Sequence, residues 1–362
     1  MVTSTPSQSP SASSATAVHT STHPMIQLRR LFRFFGATRA VNDVSFEVEA
    51  GQVFGYIGPN GAGKTTSMRI LSTLDLPDYG DALVDGFSVV NDPDRVRKRL
   101  GFMPDQFGTY PNMNCVEYLD FFARSYGLVG PERSRALRHT LEYTGLHKIA
   151  EKSIRGLSKG MRQRLCLGRA MIHDPSVLIL DEPANGLDPR ARIELRHMIR
   201  GLAAEGKSLL VSSHILTELG EMCDAIGIIE RGQLIVSGTV KDIKAKLQPT
   251  IEVRAQLMNR GEELGRWLEE HSSATRVQAS DRIVRFQLPI KSRTPDENEP
   301  ARMADGESKV IPPASQDAAA DEEFQVAILK SIVEAGFPVL EYSSESRSLE
   351  DVFLQITTGA VQ

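Results

Sequence analysis

From residue 25 to about residue 240, short apolar runs alternate with stretches whose apolar residues recur every three or four positions. GQVFGYIG (51–58), VLIL (177–180) and SLLV (208–211) have the length and continuous apolar character of buried strands. TSMRILSTL (66–74) instead has helical spacing. Such alternation predicts an α/β domain over 25–240 with a mainly parallel sheet. The stretch 116–167 interrupts it. VEYLDFFARSYGL and RSRALRHTLEYTGL read almost wholly helical, which predicts a helical subdomain (about 105–170) inserted into the α/β core.

Beyond SGTVKDIKAKL the pattern changes again. IEVRAQL, RIVRFQL and PVLEYSS have strand character, while GEELGRWLEEH and FQVAILKSIVEAG have helical spacing. Residues 241–362 therefore read as a small C-terminal α+β domain. Two stretches carry neither period. Residues 1–24 are half Ser and Thr with no charged side chain, and they read as a disordered tail. Lys291–Glu323 holds nine acidic and four basic residues among many Pro and Ala, and it reads as a disordered insert.

Composition narrows the function classes. No apolar run approaches the ~18 residues that span a bilayer, so a membrane role is expected to come through a partner. Net charge is −4 with a pI near 6.1, which gives no support for nucleic-acid binding. The scattered Cys115, Cys166 and Cys223 have no metal-ligand spacing and fit a reducing cytoplasm.

The most specific chemistry lies between the first long apolar strand and its helix. Gly58, Pro59, Asn60, Gly61, Ala62, Gly63, Lys64, Thr65 and Thr66 read GPNGAGKTT and fit G-x-x-x-x-G-K-[ST]. Glycines let the backbone wrap phosphate oxygens so that successive N–H groups point inward. Lys64 is expected to reach the β- and γ-phosphates of ATP, and the Thr65 hydroxyl to ligate Mg²⁺. The following helix aims its N-terminus at the phosphates.

VLILDEP (177–183) places two carboxylates at the carboxyl edge of a buried strand, where open α/β sheets bind ligands. Asp181 is the expected Mg²⁺ residue, and Glu182 the group that polarises the attacking water. LSKGMRQR (157–164) opens a helix, with Ser158 a fitting N-cap and Gly160 leaving backbone N–H groups open to an anion.

In this order and spacing, P-loop, LSKGM and VLILDEP resemble an ABC transporter nucleotide-binding domain. The resemblance implies a P-loop NTPase core and covers residues 25–240. Within it, NGLDP (185–189) resembles the D-loop and adds Asp188 to the expected nucleotide contacts. SSH, ending at His214, resembles the switch histidine, giving Lys64, Glu182 and His214 as the catalytic set. Phe35 in RFFG sits where the family places an aromatic that stacks on adenine, and Phe34 is a neighbouring candidate. SLEDVFLQITTG (348–359) resembles the closing segment of ATPase subunits serving ABC-2-type exporters.

Two departures from the family pattern stand out. Lys159 and Met161 replace the second Gly and the Gln of the usual LSGGQ. In GFMPDQFGTY (101–110), Asp105 stands where the family's glutamine would follow Pro104, with Gln106 next, and either can fill that role. The resemblance implies a cytoplasmic ATPase subunit, peripheral on the inner face of the membrane. Its implied partners are a polytopic permease and a second ATPase subunit, in a homodimer trapping two ATP. Ser158 and Gly160 would then meet the partner's nucleotide. Two other readings are a soluble ABC ATPase without a transporter and an ATP-binding regulator that does not hydrolyse.

Overall fold

The computed structural model describes residues 23–289 and 318–345, apart from 107, 109, 111, 241 and 244–249. The Ser/Thr-rich tail through residue 22, the insert from 290 to 317 and the 348–359 segment lie outside the described residues.

The central sheet has six strands in the order β10-β9-β3-β8-β7-β6. These are β3 (Val53–Ile57), β6 (Leu100–Met103), β7 (Val177–Leu180), β8 (Ser208–Ser213), β9 (Ala225–Glu230) and β10 (Gln233–Thr239). All are parallel to their neighbours except β10, which runs antiparallel to β9. Every residue of β3, β7 and β8 is buried, as expected where both sheet faces are covered. The alternation of β3 divides the core. Phe54 and Tyr56 enter one hydrophobic cluster, while Val53 and Ile57 enter another. Phe46 stacks on Phe54 with centroids 4.9 Å apart and planes 3° apart, closing the first cluster.

A second, antiparallel sheet has the order β2-β1-β4-β5, from β1 (Ile26–Phe35), β2 (Thr38–Val48), β4 (Tyr79–Val84) and β5 (Phe87–Ser88). The sequence pattern does not announce it, because β1 reads IQLRRLFRFF with register shifts between Leu28 and Phe34. Charged residues and bulges together hide its period of two.

The helical segment comprises α3 (Cys115–Ser125), α4 (Gly130–Tyr143) and α5 (Lys159–Met171). α3 starts with a capping box: Asn114 Oδ1 accepts from the Glu117 N–H at 2.8 Å, and Glu117 Oε2 accepts from the Asn114 N–H at 2.9 Å. Cys115, Tyr118, Leu119, Leu141 and Leu165 share its own small core.

Residues 250–345 fold as β11 (Thr250–Leu257), a helix Gly261–His271, β12 (Thr275–Ala279), β13 (Ile283–Pro289), a helix Ala318–Glu334 and β14 (Val339–Glu345). The sheet order β12-β13-β11-β14, all antiparallel, is the ferredoxin-like split βαβ arrangement. The last helix begins at Ala318, inside the 291–323 stretch expected to be disordered. Three consecutive alanines open this helix, residues of the highest helix propensity.

One half-buried histidine in the central domain gives a pH dependence. His173 stacks on Tyr126 at 3.6 Å between ring centroids, and its Nε2–H donates to the Leu100 carbonyl oxygen at 3.1 Å. Burial lowers its pKa from 6.5 to about 4. Between those values the unfolded chain binds a proton that the folded chain refuses, so stability falls as pH drops through this window. The loss is at most about 2 kcal/mol by pH 5. His173→Phe is expected to flatten the decline of Tm between pH 6.5 and 5, and an unchanged slope would contradict this.

Candidate functional site

Four loops leave the carboxyl ends of four adjacent strands, β3, β8, β7 and β6, and they meet in one cleft of about 450 Å³. Pro59 to Thr66 line it after β3, His214 after β8, Glu182 and Asn185 after β7, and Asp105 after β6. Open parallel sheets place ligands at this edge because the connecting loops diverge there.

The 58–63 loop requires its glycines. A Cβ at Gly58 would collide with the Ile229 carbonyl oxygen, and one at Gly63 with the Ala40 carbonyl oxygen. Gly63 also sits at φ 106°, capping α1 (Lys64–Leu71). The loop therefore wraps tightly against β2 and β9, with α1 opening directly onto the cleft.

Lys64 is 5 % exposed, and its Nζ donates to the carbonyl oxygens of Gly58 at 2.6 Å and Pro59 at 3.2 Å. It also lies 3.3 Å from Glu182 Oε1, an ion-pair contact that leaves this buried oxygen without a hydrogen bond. The other carboxylate oxygen, Oε2, is 2.8 Å from His214 Nδ1. Lysine, glutamate and histidine thus form a continuous line of polar contacts along the cleft. Glu182 itself has φ 48°, a left-handed backbone that costs a non-glycine residue on the order of 1–3 kcal/mol. Its N–H donates to Ser212 Oγ at 2.8 Å, which helps hold the turn.

Asp181 is 1 % exposed and accepts from the Ser212 hydroxyl at 2.7 Å. Burial pushes its carboxyl above the usual range, while the Ser212 and Thr65 hydroxyls pull the other way. Among the described residues no ion pair offsets this buried charge. A divalent cation beside Asp181 and Thr65 would do so, and the pair suits magnesium. No three His, Cys, Asp or Glu side chains cluster as a cage among the described residues. A magnesium ion held mainly by phosphate and water needs none.

The cleft does not gather every residue singled out from the sequence. Phe35 lies outside its lining, half exposed, with the Arg33 guanidinium 4.8 Å above its ring. Phe34 packs against Phe32 and Tyr79. Gln106 is exposed and away from the lining, whereas Asp105 lines it and accepts from Asn185 Nδ2 at 3.3 Å. Ser158 and Asp188 cap α5 and α6 (Pro189–Ala204), accepting from the N–H groups of Met161 at 3.3 Å and Ala191 at 2.9 Å. Neither these two nor Gly160 reaches the cleft of its own chain. Ala40, Asn185 and Ser212 were not singled out. Asn185 and Ser212 sit within NGLDP and SSH, where their short polar side chains were a readable signal. Ala40 contributes only shape from β2.

Comparisons with known proteins agree with this geometry. The family model for the ABC transporter domain matches residues 41–185. The linearmycin resistance ATP-binding protein LnrL of Bacillus subtilis (strain 168) is 34% identical over 223 residues, which are 62% of this chain and 72% of LnrL. The chain belongs to the ABC transporter ATP-binding family.

Its core is accordingly a P-loop NTPase fold. A solved ATP-binding subunit of an ABC transporter superposes with a TM-score of 0.56 at 30% identity, covering 61% of this chain and 92% of the other. The probable multidrug ABC transporter ATP-binding protein YbhF of Escherichia coli (strain K12) is 37% identical over 222 residues. That stretch is 61% of this chain but only 38% of YbhF.

Proposed function

We propose that this chain is the ATP-hydrolysing subunit of an ABC-type exporter, acting as a head-to-tail dimer on a separate membrane subunit. The convergence of Lys64, Asp181, Glu182 and His214 at adjacent strand ends carries the reading. Backbone N–H groups of the 59–66 loop and Lys64 hold the ATP phosphates. Thr65 and Asp181 would hold a magnesium ion, which when bound would supply charge neutralisation to the phosphates. Glu182 accepts a proton from the attacking water as His214 keeps the carboxylate oriented through Nδ1. Asp105, tied to Asn185, fills the place of the family's glutamine at the cleft wall.

Ser158 and Gly160 lie outside their own chain's cleft, which supports a site completed by a second subunit. The N-terminus of α5 then offers N–H groups to the partner's γ-phosphate. A groove of about 440 Å³ supports the membrane partner. Leu74, Phe102, Phe122 and Tyr126 line it together with Arg97 and Arg169, at the junction of β6, α3 and α5. Leu74 is 54% exposed, and an apolar helix from a permease would cover it. No helix among the described residues is long and apolar enough to cross a membrane, so the permease is taken as a separate chain on whose cytoplasmic side this subunit sits. The names of YbhF and LnrL, which refer to multidrug transport and linearmycin resistance, favour export as the direction.

Magnesium-dependent phosphate release from ATP tests the reading. Ser158→Arg is expected to reduce release to background while each subunit binds ATP normally, because a bulky cation at the α5 N-terminus blocks the partner's approach. Wild-type turnover in Ser158→Arg would contradict the two-subunit site.

A further inference from the structure

Lys159 is the first residue of α5 and is an exposed residue, yet its amine lies directly on Gly186. A Cβ at Gly186 would collide with Lys159 Nζ, and it would come within 3.4 Å of Cε and 3.8 Å of Cδ. Gly186 has φ 65°, a conformation glycine adopts freely and could also leave freely. The end of the lysine side chain therefore lies over the glycine of the 184–188 loop.

That loop reaches the cleft. The Asn185 N–H donates to the Glu182 carbonyl oxygen at 3.1 Å, and its side chain donates to Asp105. On the far side, the start of α5 is locked to α6. Gly160 packs so closely that its Cβ would lie 3.2 Å from that of Ala191, and Arg164 pairs with Glu194 at 2.6 Å. A continuous path of contacts thus runs from Asp105 and Asn185 through Gly186 to Lys159.

We propose that Lys159 is a positioning residue: laid across Gly186, it fixes the 184–188 loop to the start of α5, so that Asn185 holds its place in the cleft wall. The proposal rests on the hydrolytic reading of the cleft. Misplacing an aligned group by about 1 Å can cost up to about 100-fold in rate, so a loosened loop slows turnover without weakening the phosphate contacts of Lys64.

Phosphate release from the full chain, measured for Lys159→Ala, Asn185→Ala and the double variant, tests this. Lys159→Ala should lower kcat about five-fold, with KM for ATP within two-fold and Tm within a few degrees. The double variant should be no slower than Asn185→Ala, because both changes break one path. Lys159→Met, which keeps the stem and loses the charge, should retain at least half of wild-type kcat. Hydrogen exchange at amides 185–187, which needs no turnover, should quicken about ten-fold in Lys159→Ala but not in Lys159→Met. Unchanged exchange in Lys159→Ala, multiplying losses in the double variant, or equal losses in Lys159→Met and Lys159→Ala would overturn the proposal. A wild-type chain that releases no phosphate would contradict the hydrolytic reading instead, and the exchange rates would still decide the role of Lys159.

Discussion

Glu182→Gln is expected to lower ATP turnover by about 10²–10³-fold, with ATP affinity within a few-fold of wild type. The amide is isosteric but cannot take up a proton at neutral pH, so water activation is lost. Phosphate binding rests on the 59–66 backbone and Lys64, which the substitution leaves in place. The fold should tolerate the change because the Glu182 N–H keeps its bond to Ser212 Oγ. A stopped-flow phosphate assay beside equilibrium binding of a fluorescent ATP analogue reads both quantities. Turnover near wild type would remove Glu182 from the chemistry.

Lys64→Ala should act on the other half of the cycle and weaken ATP binding by about 10–100-fold. A charge-assisted hydrogen bond to phosphate is worth roughly 1.5–3 kcal/mol, and here it forms in a nearly enclosed place where Lys64 is 5 % exposed. The substitution also removes the Lys64 amine that lies 3.3 Å from Glu182 Oε1. Some loss of Tm is therefore expected alongside the loss of affinity. Calorimetric titration with ATP would show it, and an affinity within three-fold of wild type would mean that Lys64 does not hold the phosphates.

The parts of the site legible in the sequence were those where chemistry and spacing are fixed by local backbone. GPNGAGKTT is a strand, a tight loop and a helix start, and VLILDEP is a strand and its end, so a one-dimensional pattern suffices for each. The structure adds what only tertiary contact can supply. Ala40 shapes the cleft by its carbonyl oxygen, and Ser212 spans two strands to hold both Asp181 and Glu182. Asp105 and Gln106 were indistinguishable by position, and the turn after β6 brings only Asp105 to the cleft lining.

The fold shows the same division. Continuous apolar strands of the parallel sheet were readable, whereas the β1–β2–β4–β5 sheet was not, since bulges break its alternation. β12 was also missed: four of its five residues are exposed, so it carries no hydrophobic signature and pairs through its backbone with β13. Ser158 and Phe35 lie outside the cleft lining of their own chain, and their part in nucleotide contact rests on the proposed two-subunit site.

In the proposed cycle two chains close around ATP, each lending the start of α5 to the other's cleft. Light scattering of Glu182→Gln with and without ATP and magnesium tests it most directly. A monomer of 39.9 kDa should double in mass when ATP is added, and the added Ser158→Arg change should hold it monomeric. A mass that does not change with ATP, or a dimer indifferent to Ser158→Arg, would contradict the account.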